Sequence, residues 1–228
     1  MSCYNEYQNN WYRKKYENAR PLKEYTDFID DMKKERFPIK LKFGLEVCYS
    51  SEHIKDIENI KNMYSFDFLV GSIHFIDGWA FSHKKQPWRK ENYNLNDLYK
   101  RYYELMYELA DSNLFSGLAH PNSLQCFGAY PIGGYDTECN RIAKALKENN
   151  MYIEESSGLA INYGDTELGM SGKMLKAMIL QNVQILTASD AHIPQDVGKL
   201  IFEMNDLISK AEQSSEGVSQ QTAYPQQW

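Results

Sequence analysis

The spacing of apolar residues changes period several times along this chain, and the changes mark its elements. Tyr25, Phe28, Ile29 and Met32 fall at i, i+3, i+4 and i+7, one apolar helix face, and Pro38 closes that segment. The stretch 39-IKLKFGLEV-47 then alternates strictly. Ile39, Leu41, Phe43, Leu45 and Val47 lie on one side and Lys40, Lys42, Gly44 and Glu46 on the other, which predicts a strand with Glu46 at its C-terminal end. The cycle recurs. Ile54, Ile57 and Ile60 predict a short helix, and 66-FDFLVGSIH-74 a buried strand ending at His74. After a loop over 75–93, rich in Trp, Lys and Pro, Leu98, Tyr99, Tyr102, Leu105, Met106 and Leu109 form a long helical stripe. The stretch 114-LFSGLAH-120 reads as a short strand that Pro121 stops. Asp136 is placed to cap a helix bearing Ile142, Ala145 and Leu146, and 151-MYIEESSGL-159 is a strand and turn. Ser171 caps a helix bearing Met174, Leu175, Met178 and Ile179. An apolar run at 183–187 leads into Asp190-Ala191-His192, and Val197, Leu200, Ile201, Met204, Leu207 and Ile208 predict the last helix.

Strands alternating with helices of this length predict an α/β fold on a parallel sheet, open or closed into a barrel. The 228 residues suit one domain, read over 1–212, and a polar, aperiodic tail over 213–228 that is expected to be disordered. Hydrophobic residues make up 43%, enough for a sizeable core. The net charge of −6 leaves no broad basic field, which argues against nucleic acid as a partner. It also means that an anionic substrate would need local positive charge, which metal ions supply. Cys3, Cys48, Cys126 and Cys139 form no C-x-x-C pair and no disulfide framework, which fits a reducing cytoplasm. The N-terminus has no apolar core of a leader, and no stretch nears the ~20 apolar residues of a membrane span. The expectation is a cytoplasmic protein with no membrane partner.

Four predicted strand ends carry the same class of residue: Glu46, His74, His120, and Asp190 with His192. In parallel barrels, chemistry sits at the C-terminal ends of the strands. A lone histidine there is ordinarily a hydrogen-bonded structural residue. Here three of the chain's five histidines end apolar runs, while His53 reads as surface and His83 as a loop residue beside Lys84 and Lys85. Imidazole and carboxylate together suit Zn²⁺, Mn²⁺ or Fe. Residues two apart on an extended segment project to the same side, so Asp190 and His192 are expected to face one mouth of the sheet.

The segments FGLEVCY, VGSIHFIDGWAF, SGLAHP and TASDAHIPQDVG resemble, in this order, the histidinol-phosphatase branch of the polymerase and histidinol phosphatase (PHP) superfamily. The resemblance runs from about Tyr25 to Ile208. It implies a distorted (β/α)7 TIM-like barrel with up to three metal ions and hydrolysis of phosphate monoesters by metal-activated water. L-Histidinol phosphate is the small phosphorylated metabolite of this branch, and the pathway is histidine biosynthesis. By position, Glu46 is similar to the carboxylate that bridges two metals, and His74 and His120 to the imidazoles that complete one of those sites. Asp190 is similar to a ligand of the second metal and His192 to a ligand of the third. Asp190 and His192 are also the candidate catalytic residues, His192 as a proton shuttle should the third metal be absent.

The family opens with a strand carrying an H-x-H pair, and this chain has no H-x-H and no histidine before His53. The expectation is therefore a barrel missing its first βα unit, with one complete metal site, fewer ions than a relative with all its ligands, and weak turnover. Ala160 and Ile193 stand where the family often places arginines; Lys84, Lys85 and Arg89 are the cations that would compensate. Glu154 and Glu155 read either as a solvent-facing pair or as an outer hydrogen-bond acceptor for a ligating histidine. Two alternatives stand beside the histidinol-phosphatase reading: a degenerate or truncated, non-catalytic PHP domain, and a phosphoesterase for another small phosphate. Of the accounts of the absent first unit, a fragment with that strand encoded upstream is preferred to a degenerate paralogue or a form working with fewer metals.

Overall fold

A computed structural model describes residues 22–83, 87–165 and 167–221, with side chains described through Ser215. Helix α1 is Leu22–Met32, β1 Gly44–Cys48, α2 Ile54–Met63 and β2 Phe68–Ser72. A hairpin of β3, Phe75–Ile76, and β4, Trp79–Ala80, precedes α3, Leu95–Asp111. Then follow β5, Gly117–Leu118, α4, Asp136–Glu148, β6, Tyr152–Ser156, and α5, Gly158–Tyr163. Helix α6 is Gly172–Leu180, β7 Ile185–Ala188 and α7 Ile201–Gln221. The main sheet is parallel throughout, in the order β1-β2-β5-β6-β7. Among the described residues nothing pairs with the outer edge of β1 or of β7, the two open edges expected of a barrel short of one strand.

Parallel register aligns side chains across the sheet. Glu46 lies opposite Val70, Val70 opposite Gly117, Gly117 opposite Tyr152, and Glu154 opposite Leu186. Glu46 and Glu154 therefore project to one face. Leu45, Val47, Leu69, Leu118 and Ile153 project to the other, into a core completed by Ile57, Met106, Leu109, Ile142, Leu146 and Met178 from the helices. Each such side chain contributes roughly 1.5–3 kcal/mol by leaving water, so this helix-covered face holds the sheet and leaves the opposite face free for chemistry.

Several elements differ from their sequence reading. The strand expected over 39–47 begins only at Gly44, and Ile39 and Leu41 are exposed. Its neighbour β2 begins at Phe68, opposite Gly44, so residues further upstream have no ladder to join. The loop 75–93 contains the β3–β4 hairpin, whose turn residues Asp77 and Gly78 both have positive φ, as a type I′ turn requires. Helix α4 begins at Asp136 itself, so this acid sits in the first turn, where the helix dipole favours it, rather than at the cap. Ser171 caps α6 as expected, its Oγ accepting from Met174 N–H at 3.3 Å. The last helix starts at Ile201, because Gly198 and Leu200 adopt positive φ, and Val197 is exposed. It continues through Gln221, into the stretch read as a disordered tail; residues 222–228 lie outside the described ones. No described helix is long and apolar enough to cross a membrane.

Candidate metal centre

Glu46 leaves β1 on the uncovered face, and the histidines lie two residues beyond β2 and β5. Glu46 Oε1 is 2.9 Å from His74 Nε2 and 3.1 Å from His120 Nε2. The two rings are 5.1 Å apart between centroids. One ligand atom from each of the three residues lies within 4.8 Å of the others. Three donors placed tetrahedrally ~2.1 Å from one ion would be ~3.4 Å apart, so the two Glu46–imidazole spacings of 2.9 and 3.1 Å need to open by only a few tenths of an ångström to hold one.

The far nitrogens of both rings are also fixed. His74 Nδ1 is 3.0 Å from Ser82 Oγ, and His120 Nδ1 is 2.7 Å from Ser123 Oγ. Ser123 Oγ is also 2.8 Å from the His120 carbonyl oxygen, which only accepts. Ser123 therefore donates to that carbonyl and accepts from Nδ1–H. With Nδ1–H held by Ser123, Nε2 is the atom that donates to Glu46 and that offers its lone pair once an ion replaces that proton. Sequence reasoning missed both serines. Ser123 follows His120 by three residues and was findable; Ser82 reaches His74 only through the unforeseen hairpin.

The electrostatics fit a cation. Burial opposes ionisation of Glu46, but the two imidazoles outweigh it and hold the carboxyl well below its ordinary range. Burial likewise opposes protonation of His120, yet Glu46 outweighs it and pushes the imidazole up to about 9. A proton thus occupies His120 at neutral pH where an ion would bind, and ion binding displaces it.

Asp190 and His192 line the same pocket, about 520 Å³ including its open mouth, with Glu46, His74, His120, Ser82, Ser123, Leu159, Asn162 and Tyr163. All five expected residues are thus brought together, but not by an extended segment. Asp190 has φ +47. The turn brings its carbonyl to His192 Nδ1 at 2.9 Å, with Asp190 Oδ1 3.8 Å from the same nitrogen. Burial, and then the charge of Glu46, raise the Asp190 carboxyl. The Asp190 side chain packs on Gly158, where a Cβ would come within 2.3 Å of Asp190 Oδ2.

The other candidates fall elsewhere. His53 Nδ1 pairs with Asp56 Oδ2 at 3.1 Å, away from the pocket, and His83 is not among its lining residues. Arg89 is exposed, and Lys84 and Lys85 lie outside the described residues. Neither Glu154 nor Glu155 is a solvent-facing residue. Glu154 Oε2 accepts from His120 N–H at 3.3 Å. Burial first, with the charges of Glu46 and Asp190 adding to it, pushes Glu154 up to about 7. Glu155 projects to the helix side, 1% exposed, and accepts from Met170 N–H at 3.0 Å.

Burial pushes Glu155 up to about 7 from an ordinary 4.5. An acid whose folded pKa lies above its unfolded one favours folding most while protonated. Its contribution is whole below pH 4.5 and is lost as the pH rises through about 7. Glu155→Gln keeps an acceptor for Met170 and cannot ionise. It is expected to match wild type near pH 4.5 and to exceed it at pH 8 by up to ~3 kcal/mol. Urea denaturation at the two pH values measures this, and parallel curves for both proteins would refute it.

The sequence matches the PHP domain profile over residues 15–157. It is 26% identical over 199 residues to the "Probable histidinol-phosphatase" of Deinococcus radiodurans, covering 83% of this chain and 71% of that one. It is 23% identical over 185 residues to the protein of the same name from Schizosaccharomyces pombe, covering 70% of this chain and 56% of the yeast protein. The fold superposes with TM-score 0.66 and 17% identity on a Lactococcus lactis histidinol phosphate phosphatase complexed with zinc, L-histidinol and phosphate, over 85% of this chain and 75% of that chain. It superposes with TM-score 0.71 and 16% identity on the hisK protein of Listeria monocytogenes, over 87% and 85% of the two chains. Those likenesses establish the TIM-like α/β fold, and with the profile match over more than half of its length the chain belongs to the PHP domain family.

Proposed function

We propose that this protein is a metal-dependent phosphate monoester hydrolase acting on L-histidinol phosphate. The observation that carries the reading is the Glu46–His74–His120 donor set, with both imidazoles turned by serines toward one carboxylate. The two curated relatives named for this activity support it. A divalent ion held by these three residues supplies Lewis acidity toward phosphoryl oxygens and lowers the pKa of water. The remaining work falls to the chain's own groups. Glu46 holds both rings in place, and Asp190 brings a second carboxylate to the same pocket. His192 Nδ1 bonds a backbone carbonyl, so it carries a proton and leaves Nε2 as the ring atom that can exchange one. Partly exposed at the pocket, His192 is placed to take a proton from the attacking water at Nε2 and pass that same proton to the leaving alkoxide.

The purified protein should release phosphate from L-histidinol phosphate only after loading with Zn²⁺, Mn²⁺ or Fe²⁺. It should hold about one ion per chain, because one donor set is complete among the described residues. Turnover should fall below the ~10 s⁻¹ typical of enzymes. His74→Ala should lose ion and activity together. Metal-independent release, or a variant that keeps its ion, would defeat the reading. The described pocket lining holds no lysine or arginine, which favours a second reading, a different small phosphate ester. Comparing kcat/KM across a panel of monoesters separates the two.

A further inference from the structure

His120 is held in an unusual backbone state, φ +26, and is almost fully buried. A non-glycine residue stays in that region only where its surroundings fix it. Three of its polar groups have partners already described: Nε2 on Glu46, Nδ1 on Ser123, and the carbonyl on Ser123 N–H and Oγ. The fourth is its own N–H. The β5–β6 ladder ends at the pair Leu118–Ile153, and the chain turns away before His120, so β6 offers its amide no backbone carbonyl. The Glu154 side chain takes that place, with Oε2 3.3 Å from His120 N. It reaches there because register puts Glu154 on the same face as Glu46.

We propose that Glu154 is a positioning residue: its carboxylate stands in for a missing strand carbonyl, locks the His120 peptide in its left-handed turn and thereby aims His120 Nε2 at the ion site. Without it, a buried N–H is left unpaired and the turn has one fewer constraint. This rests on the reading of Glu46, His74 and His120 as ligands, and the test separates the two. Zn²⁺ affinity is measured by chelator competition on the full chain, for wild type, Glu154→Gln and Glu154→Leu. Glutamine keeps a neutral oxygen acceptor and leucine removes it. Glu154→Gln should bind zinc within about threefold of wild type, and Glu154→Leu about 10–100-fold more weakly, the range lost when an outer partner of a ligand is removed. Wild-type affinity in Glu154→Leu would overturn the proposal. So would a glutamine variant as weak as leucine, since that outcome makes the charge, through direct ligation, the operative feature. A wild type that binds no zinc would overturn the ligand reading itself. Should the leucine variant not fold, amide hydrogen exchange on the ¹⁵N-labelled wild type decides: the His120 N–H should be protected, and exchange at the rate of an open loop amide would refute the bond.

Discussion

Glu46→Gln is expected to empty the metal centre and all but abolish phosphate release. Both imidazoles bond to one Glu46 oxygen, at 2.9 and 3.1 Å, so this carboxylate is the hub of the donor set. Glutamine has nearly the same shape and leaves packing intact, but its oxygen carries no charge. Removing an outer hydrogen-bond partner of a ligand costs ~10–100-fold in metal affinity; losing the anionic ligand itself should cost at least ~100-fold. Elemental analysis after gel filtration and a phosphate-release assay give the result, and circular dichroism confirms that the fold survives. A variant that keeps a full complement of ion would show that the ion sits elsewhere.

Gly158→Ala should damage turnover while sparing the ion. The added methyl would lie 2.3 Å from Asp190 Oδ2 and 2.8 Å from Asp190 Cβ, closer than real atoms approach. The Asp190 turn must give way, and His192, bonded to the Asp190 carbonyl, moves with it. A misplacement of about 1 Å at a catalytic group costs up to ~100-fold, so kcat should fall ~10–100-fold. The Glu46, His74 and His120 donors come from other strands and should still hold their ion at wild-type stoichiometry. Full activity in this variant would remove Asp190 and His192 from the reaction.

The fold class and the candidate site were legible because both rest on local pattern. Apolar runs at alternating periods specify strands and helices one at a time, and ligands at strand ends need only the run and its last residue. Three features were not legible, each for a spatial reason. The start of β1 depends on where β2 begins, not on the alternation of 39–47. The Ser82 contact depends on the hairpin that folds the chain back beside His74, although its Asp77-Gly78 turn signal stood in the sequence. Neighbours on a strand face opposite ways, but which of Glu154 and Glu155 faces the candidate ion site and which the helices depends on the register of β6 against its neighbours.

Two of the five candidate site residues, His120 and Asp190, occupy the left-handed region. Histidine, aspartate and asparagine are the side chains most at ease there after glycine. At these two positions, therefore, the needs of the chemistry and of the backbone select overlapping alphabets. An exchange to asparagine would satisfy the turn while discarding the charge or the ring, and one to valine or isoleucine would violate both. Along a lineage, the easiest first step away from catalysis is thus a single substitution that the fold barely registers. Loss of activity in such a scaffold would leave an intact, well-packed domain behind it.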